Sequence, residues 1–137
     1  MTIAFIGTGT MGRPMLANLV RKGFAVTAYD VVPGALDAAV KAGATAASSS
    51  AAAARGADLI VTMLPSSSHV ESVYLGNGGV LEGAASGKLC VDMSTIDPAV
   101  SRRVAQALRL ASSHGLGRKD FTSIYQFLKP SSEQAPV

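Results

Sequence analysis

The feature that most constrains this chain is a glycine loop set between two apolar runs. Ile3-Ala4-Phe5-Ile6 leads directly into Gly7-Thr8-Gly9-Thr10-Met11-Gly12, a G-x-G-x-x-G stretch. A helical pattern follows from Met11 to Lys22, and a second apolar run, Ala25 to Tyr29, closes on Asp30. Strand, glycine loop, helix, strand and terminal acid is the order that a dinucleotide-binding βαβ unit requires. A glycine turn can also join strand to helix for packing alone. With the second strand and its acid both in place, the binding reading is favoured.

Each glycine has a mechanical task in that reading. Gly7 permits the tight turn off the strand, Gly9 lets a pyrophosphate approach the backbone, and Gly12 lets the helix pack closely. The pyrophosphate then lies at a helix N-terminus, where unpaired N–H groups and the macrodipole favour an anion. Asp30 stands 21 residues after Gly9. A carboxylate there accepts hydrogen bonds from the adenosine ribose and repels a 2′-phosphate. Val31-Val32-Pro33 offers no Arg to hold such a phosphate. NAD is therefore the expected cofactor, with NADP disfavoured.

Beyond Asp30 the chain keeps alternating. A helix is expected from Pro33 through Lys41, a short strand at Ala44 to Ala47, and a short surface helix at Ser48 to Arg55 capped by its serines. Asp58 to Leu64 is nearly continuous in apolar residues and reads as a buried parallel strand ended by Pro65. A helix from Ser66–Ser68 to Leu75 follows, then a Gly76–Gly79 loop and a strand at Lys88 to Met93. Asp97-Pro98 reads as a cap with proline at the first helical position, opening a helix through Val100, Val104 and Leu108. This rhythm predicts an α/β doubly wound parallel sheet, whose ligands bind beyond the strand C-termini. Gly7–Gly12, Met63–Pro65 and Ser94–Thr95 all fall there. Leu64 and Pro65 supply an apolar wall. Thr95 offers either a hydroxyl near the nicotinamide or a cap for the next helix, and both readings stay open.

Bulk properties narrow the partners. The 137 residues are one domain's worth of chain, 48% hydrophobic and only 15% charged, so a real core can form. The net charge of +3 is mild, the basic residues are scattered and aromatics are few, which argues against nucleic acid. No apolar run approaches the ~20 residues of a membrane span. The N-terminus opens in a strand without a targeting segment, so a cytoplasmic location is expected, or a mitochondrial one had a transit peptide been removed. Cys90 is single and sits in a buried strand, which reads as an inert core thiol. His69 and His114 lack metal-ligand spacing, although His69 falls near the predicted crevice. No metal site is expected.

Four segments carry a wider resemblance: Phe5 to Leu19 (F-I-G-T-G-T-M-G-R-P-M-L-A-N-L), Tyr29 to Pro33 (Y-D-V-V-P), Thr62 to Ser67 (T-M-L-P-S-S) and Asp92 to Ser101 (D-M-S-T-I-D-P-A-V-S). Over Met1 to about Ser101 the chain resembles the β-hydroxyacid dehydrogenase family, its 3-hydroxyisobutyrate dehydrogenases in particular. Tartronate semialdehyde reductases share much of the pattern. The resemblance implies a Rossmann-type sheet, NAD, and oxidation of the primary alcohol of a 3-hydroxy acid to its semialdehyde, in valine catabolism for 3-hydroxyisobutyrate itself. The family's next parts are a D-A-P-V-S-G-G substrate loop, a G-x-G-x-x-x-K-x-x-N helix bearing the acid/base lysine, and an all-helical domain. After Arg103 the sequence instead reaches His114 to Leu128, which resembles the family's extreme C-terminus. Lys119 lies two residues after Gly117 where the catalytic pattern needs four, and is read as non-catalytic.

The sequence therefore predicts a truncated dinucleotide-binding domain at residues 1–107 and a residual tail with one helix, Phe121 to Leu128, at 108–137. The candidate cofactor contacts are Ile6, Gly7, Thr8, Gly9, Thr10, Met11, Gly12, Asp30, Met63, Leu64, Pro65 and Thr95, with no catalytic residue and no metal ligand. Three functions compete: a binding module holding NAD without catalysis, a dehydrogenase completed by another chain, and a truncated partner of full-length homologous subunits. A poorly covered fifth-strand edge also predicts self-association.

Overall fold

The computed structural model describes residues 1–85 and 87–111. Five parallel strands run β1 (Thr2–Ile6), β2 (Ala25–Tyr29), β3 (Thr45–Ala46), β4 (Leu59–Thr62) and β5 (Leu89–Asp92). Between and after them lie α1 (Gly12–Arg21), α2 (Pro33–Lys41), α3 (Ser50–Ala54), α4 (Ser67–Leu75), α5 (Val80–Gly83) and α6 (Pro98–Ala111). The sheet order is β3-β2-β1-β4-β5, so the winding reverses at β1. Ile6 pairs with Tyr29 on one side and Thr62 on the other, and Thr62 pairs with Asp92. The C-terminal ends of four strands thus form one row. The expected doubly wound sheet is present.

Both faces of the sheet are buried, which is why β1 and β4 read as continuous apolar runs. Ala4, Ile6 and Ile60 point into a core with Val70, Tyr74, Val100 and Val104. Ile3, Phe5 and Val61 point to the opposite side, against Leu16 of α1 and Ala39 of α2. Cys90 belongs to the first core, and burial pushes its thiol up to about 12, so the reactive thiolate is disfavoured.

Local chemistry sets the helix starts. Ser49 Oγ accepts from Ala52 N at 3.0 Å, and Asp97 Oδ1 accepts from Ala99 N at 2.7 Å with Pro98 as first helical residue. The alanine-rich segment departs from expectation. It is not a surface helix: Ser50, Ala51, Ala53 and Ala54 are all buried. A Cβ on Gly83 would meet Ala51 O at 2.0 Å, so α3 and α5 touch backbone to backbone. Small side chains permit that approach. The four-residue α5 was unforeseen, being too short to carry a periodic signal. α6 runs without a break across residue 107 to Ala111. His114, Lys119 and the helix expected at Phe121 to Leu128 lie outside the described residues.

Candidate functional site

A cavity of about 410 Å³ opens beyond the C-terminal ends of β1, β2 and β4, on the two sides of the winding reversal. Ile6, Gly7, Gly9, Thr10 and Met11 form its glycine-loop side. Tyr29, Asp30, Val31 and Val32 form one wall, and Met63, Leu64 and Pro65, with His69 and Val73 of α4, form the other. Nine of the twelve residues singled out from sequence are thereby brought together.

The glycine loop has a distinct geometry at each glycine. Gly7 has φ +90, and a Cβ there would meet Met63 O at 2.2 Å. Gly12 has no room either: its Cβ would lie 1.9 Å from Gly7 O. Gly9 is the opposite case, with nothing within 4 Å of its Cβ position. It faces open space where a ligand group can come against bare backbone. Arg13 N donates to Gly9 O at 3.0 Å as α1 begins, and no side chain caps the helix. Among the described residues no acceptor is bonded to the amides of Thr10, Met11 or Gly12. Unpaired amides at the start of a ten-residue helix are suited to an anion.

Asp30 carries a task the sequence did not reveal. Its Oδ2 accepts from Thr8 N at 2.6 Å and Thr8 Oγ1 at 3.2 Å, and its Oδ1 accepts from Val32 N at 2.9 Å. The carboxylate clamps the glycine loop to the end of β2 while one side of the residue lines the cavity. Thr8 is buried beneath it and does not line the cavity, and its contact is with Asp30. Gly12 also lies behind the lining, in the packing of α1 against the loop.

Thr95 is exposed and is not among the residues that line the cavity. The α6 cap is Asp97, and the inward hydrogen bonds of this segment come from Ser94. His69 lines the cavity, in keeping with its expected place near the crevice, whereas Tyr29, Val31, Val32 and Val73 are lining residues that the sequence reading missed. Val31 and Val32 carry no local signal for lining beyond their place after Asp30. His69 and Val73 are four apart on α4, whose first turns start at the cavity. That spacing was the available signal. Ser66 Oγ, 2.7 Å from His69 Nδ1, fixes the ring at the rim. Among the described residues no group of three or more potential ligands could hold a metal ion, and no helix is long and apolar enough to cross a membrane.

The family model for the NAD binding domain of 6-phosphogluconate dehydrogenase matches residues 2–118. The chain belongs to this NAD-binding domain family. NAD is accordingly its cofactor, and the loop amides, the space over Gly9 and the Asp30 carboxylate fit such a dinucleotide. The chain is 46% identical over 107 residues to the NAD-dependent L-serine dehydrogenase of Pseudomonas aeruginosa, covering 78% of this chain and 36% of that protein. It is 44% identical over 114 residues to the 3-hydroxyisobutyrate dehydrogenase of the same organism, covering 83% and 37%. A Mycobacterium tuberculosis 3-hydroxyisobutyrate dehydrogenase solved with L-serine superposes with TM-score 0.74 at 40% identity, covering 85% of this chain and 38% of that one. The resemblance to 3-hydroxyisobutyrate dehydrogenases thus holds, and the chain spans a little over a third of the length of these relatives.

Proposed function

We propose that this chain holds NAD in the cavity as the dinucleotide half of a 3-hydroxy-acid dehydrogenase, and that alone it does not turn substrate over. The observation that carries the proposal is the meeting, around one cavity, of unpaired loop amides, open space over Gly9 and the Asp30 carboxylate. In this reading the amides of Thr10 and Met11, which line the cavity, take the pyrophosphate, and Asp30 takes the ribose hydroxyls. Ile6, Val31, Leu64, Pro65 and Val73 shield the bases from water. Asp30 also sets the preference for NAD, because a 2′-phosphate would lie against its charge. Nicotinamide, when bound, accepts a hydride from an alcohol carbon, and this chain's own residues bind and orient it.

The names of the relatives support a substrate class. L-serine and 3-hydroxyisobutyrate are both carboxylic acids with a primary alcohol two carbons away, so the parent reaction is alcohol to semialdehyde. The resemblance to 3-hydroxyisobutyrate dehydrogenases supports that acid as the parent substrate, and with it valine catabolism. General acid/base help is worth ~10²–10⁴ in rate, and the family's lysine motif is not found after Arg103. We expect the full chain, saturated with NAD, to reduce none of it above the enzyme-free rate with either acid, followed at the nicotinamide absorbance. Turnover near 1 s⁻¹, an ordinary enzyme rate (about 1–10³ s⁻¹), would contradict this and favour a complete site.

A second reading, association with full-length homologous subunits or with further copies, is favoured by one observation. β5 is an edge of the described sheet, with Leu89 45% and Met93 50% exposed beside it.

A further inference from the structure

We infer that Asp92 is a positioning residue for the cavity, holding the Met63–Pro65 wall through a hydrogen-bond chain that begins in the core and ends on the amide of Leu64. The inference rests on the reading of that cavity as the dinucleotide site. Asp92 itself is not among the residues that line it.

The chain is continuous. Asp92 Oδ1 accepts from Thr62 Oγ1 at 2.7 Å, from Ser94 Oγ at 2.6 Å and from Ser94 N at 3.2 Å. A carboxylate only accepts, so both hydroxyls point their protons at it. Thr62 Oγ1 is then left as an acceptor, and Tyr74 OH, 3.1 Å away, is the donor to it. Ser94 Oγ is likewise left as an acceptor, and it takes the N–H of Leu64 at 2.8 Å. Every proton along both arms therefore runs toward Asp92. Bonds of this kind to an ionised acceptor are the stronger sort, and aligned ones reinforce each other.

The two ends explain the purpose. Thr62 is fully buried and Tyr74 nearly so, which anchors one arm in β4 and α4. The other arm ends at the wall. Met63 N is held by Ile6 O at 3.0 Å, as a last rung of the sheet. Pro65 has no N–H. The Leu64 amide is thus the final backbone donor of the wall, and Ser94 is what it binds. Leu64 Cδ2 lies 3.0 Å from where a Cβ on Gly7 would sit, so wall and glycine loop are in close contact. Release of Leu64 from Ser94 would change the width of the cavity at its glycine floor. The four polar residues come from β4, α4, β5 and the turn after it, and Asp92 is where they meet.

The test uses the full chain. NAD is titrated by calorimetry into the wild type, Ser94→Ala, Asp92→Asn, the double variant and Ser94→Thr. Exchange of the Leu64 amide is read by NMR in the absence of ligand. We expect each single variant to bind NAD about tenfold more weakly, and the double variant no more weakly than the worse single. Ser94→Thr, which keeps the hydroxyl, should stay within twofold of wild type, and Leu64 should exchange at least tenfold faster in Ser94→Ala. General loosening of the domain would give neither the non-additivity nor the threonine rescue. Singles within twofold of wild type, multiplying losses in the double, or unchanged Leu64 exchange would each overturn the inference. If Asp92→Asn fails to fold, Ser94→Ala with its rescue decides alone. A wild type that binds no NAD while Leu64 exchange responds to Ser94→Ala would place the failure in the site reading, and with it the inference's claim on the cavity.

Discussion

Gly9→Ala should leave the domain folded and weaken NAD binding at least tenfold. The added methyl meets nothing within 4 Å, so no protein atom has to move. Gly9 also has no positive φ, and alanine there lowers the entropy of the unfolded chain, so stability should change by no more than about 1 kcal/mol, in the favourable direction. The methyl instead stands in the space where a pyrophosphate would approach the backbone. A tenfold loss is about 1.4 kcal/mol. Gly12→Ala should behave in the reverse manner. Its Cβ would lie 1.9 Å from Gly7 O and 3.1 Å from Phe5 Cε1, and a backbone oxygen in the turn has nowhere to go. Overpacking of this kind costs typically 1–3 kcal/mol and here should reach about 3 or more. Thermal melts and NAD titrations on the two variants check the contrast. Gly9→Ala binding NAD as the wild type does would remove the loop from the site.

The second large effect is at Asp30. Asp30→Ala should raise the dissociation constant for NAD by about 30-fold and abolish most of the preference over NADP. Two losses combine. The ribose hydroxyls lose their acceptor, and the Thr8 and Val32 amides lose theirs inside the protein. An orphaned, partly buried N–H costs about 1–3 kcal/mol, so the melting temperature should fall as well, unlike that of Gly9→Ala. The preference should shift because a 2′-phosphate carries close to two negative charges, and the alanine variant no longer opposes them. The readout is the ratio of the NADP and NAD dissociation constants, which should fall at least tenfold. An unchanged ratio would show that Asp30 serves the loop alone.

Much of this fold was legible because its strongest signals are local and periodic. β2 runs from Ala25 to Tyr29 as read, and α1 and β4 are within two residues of expectation at each end. Their apolar residues serve two buried faces, which leaves an unmistakable run. The misreadings have the opposite character. Four buried residues of α3 looked like a polar-flanked surface helix because serine and alanine carry little hydrophobic contrast. α5 is four residues long, and its Gly83 packs against Ala51, a contact across 32 positions that no local pattern shows.

The site divides in the same way. The glycine loop and the acid read from the spacing line one cavity, because that spacing is itself a mechanical requirement. Where hydrogen bonds join distant positions, sequence was silent. Thr8 to Asp30 spans 22 residues and Thr62 to Asp92 spans 30. Thr95 stands exposed in the turn after β5, and the inward hydrogen bonds of that turn come from its neighbour Ser94, which no local pattern marks.

The most direct measurement of the central claim is calorimetric titration of the whole chain with NAD, alongside circular dichroism of the same sample. Saturable heat at one NAD per chain, weakened by Gly9→Ala while the dichroism stays unchanged, is the predicted result. A folded spectrum with no heat of binding up to millimolar NAD would contradict it.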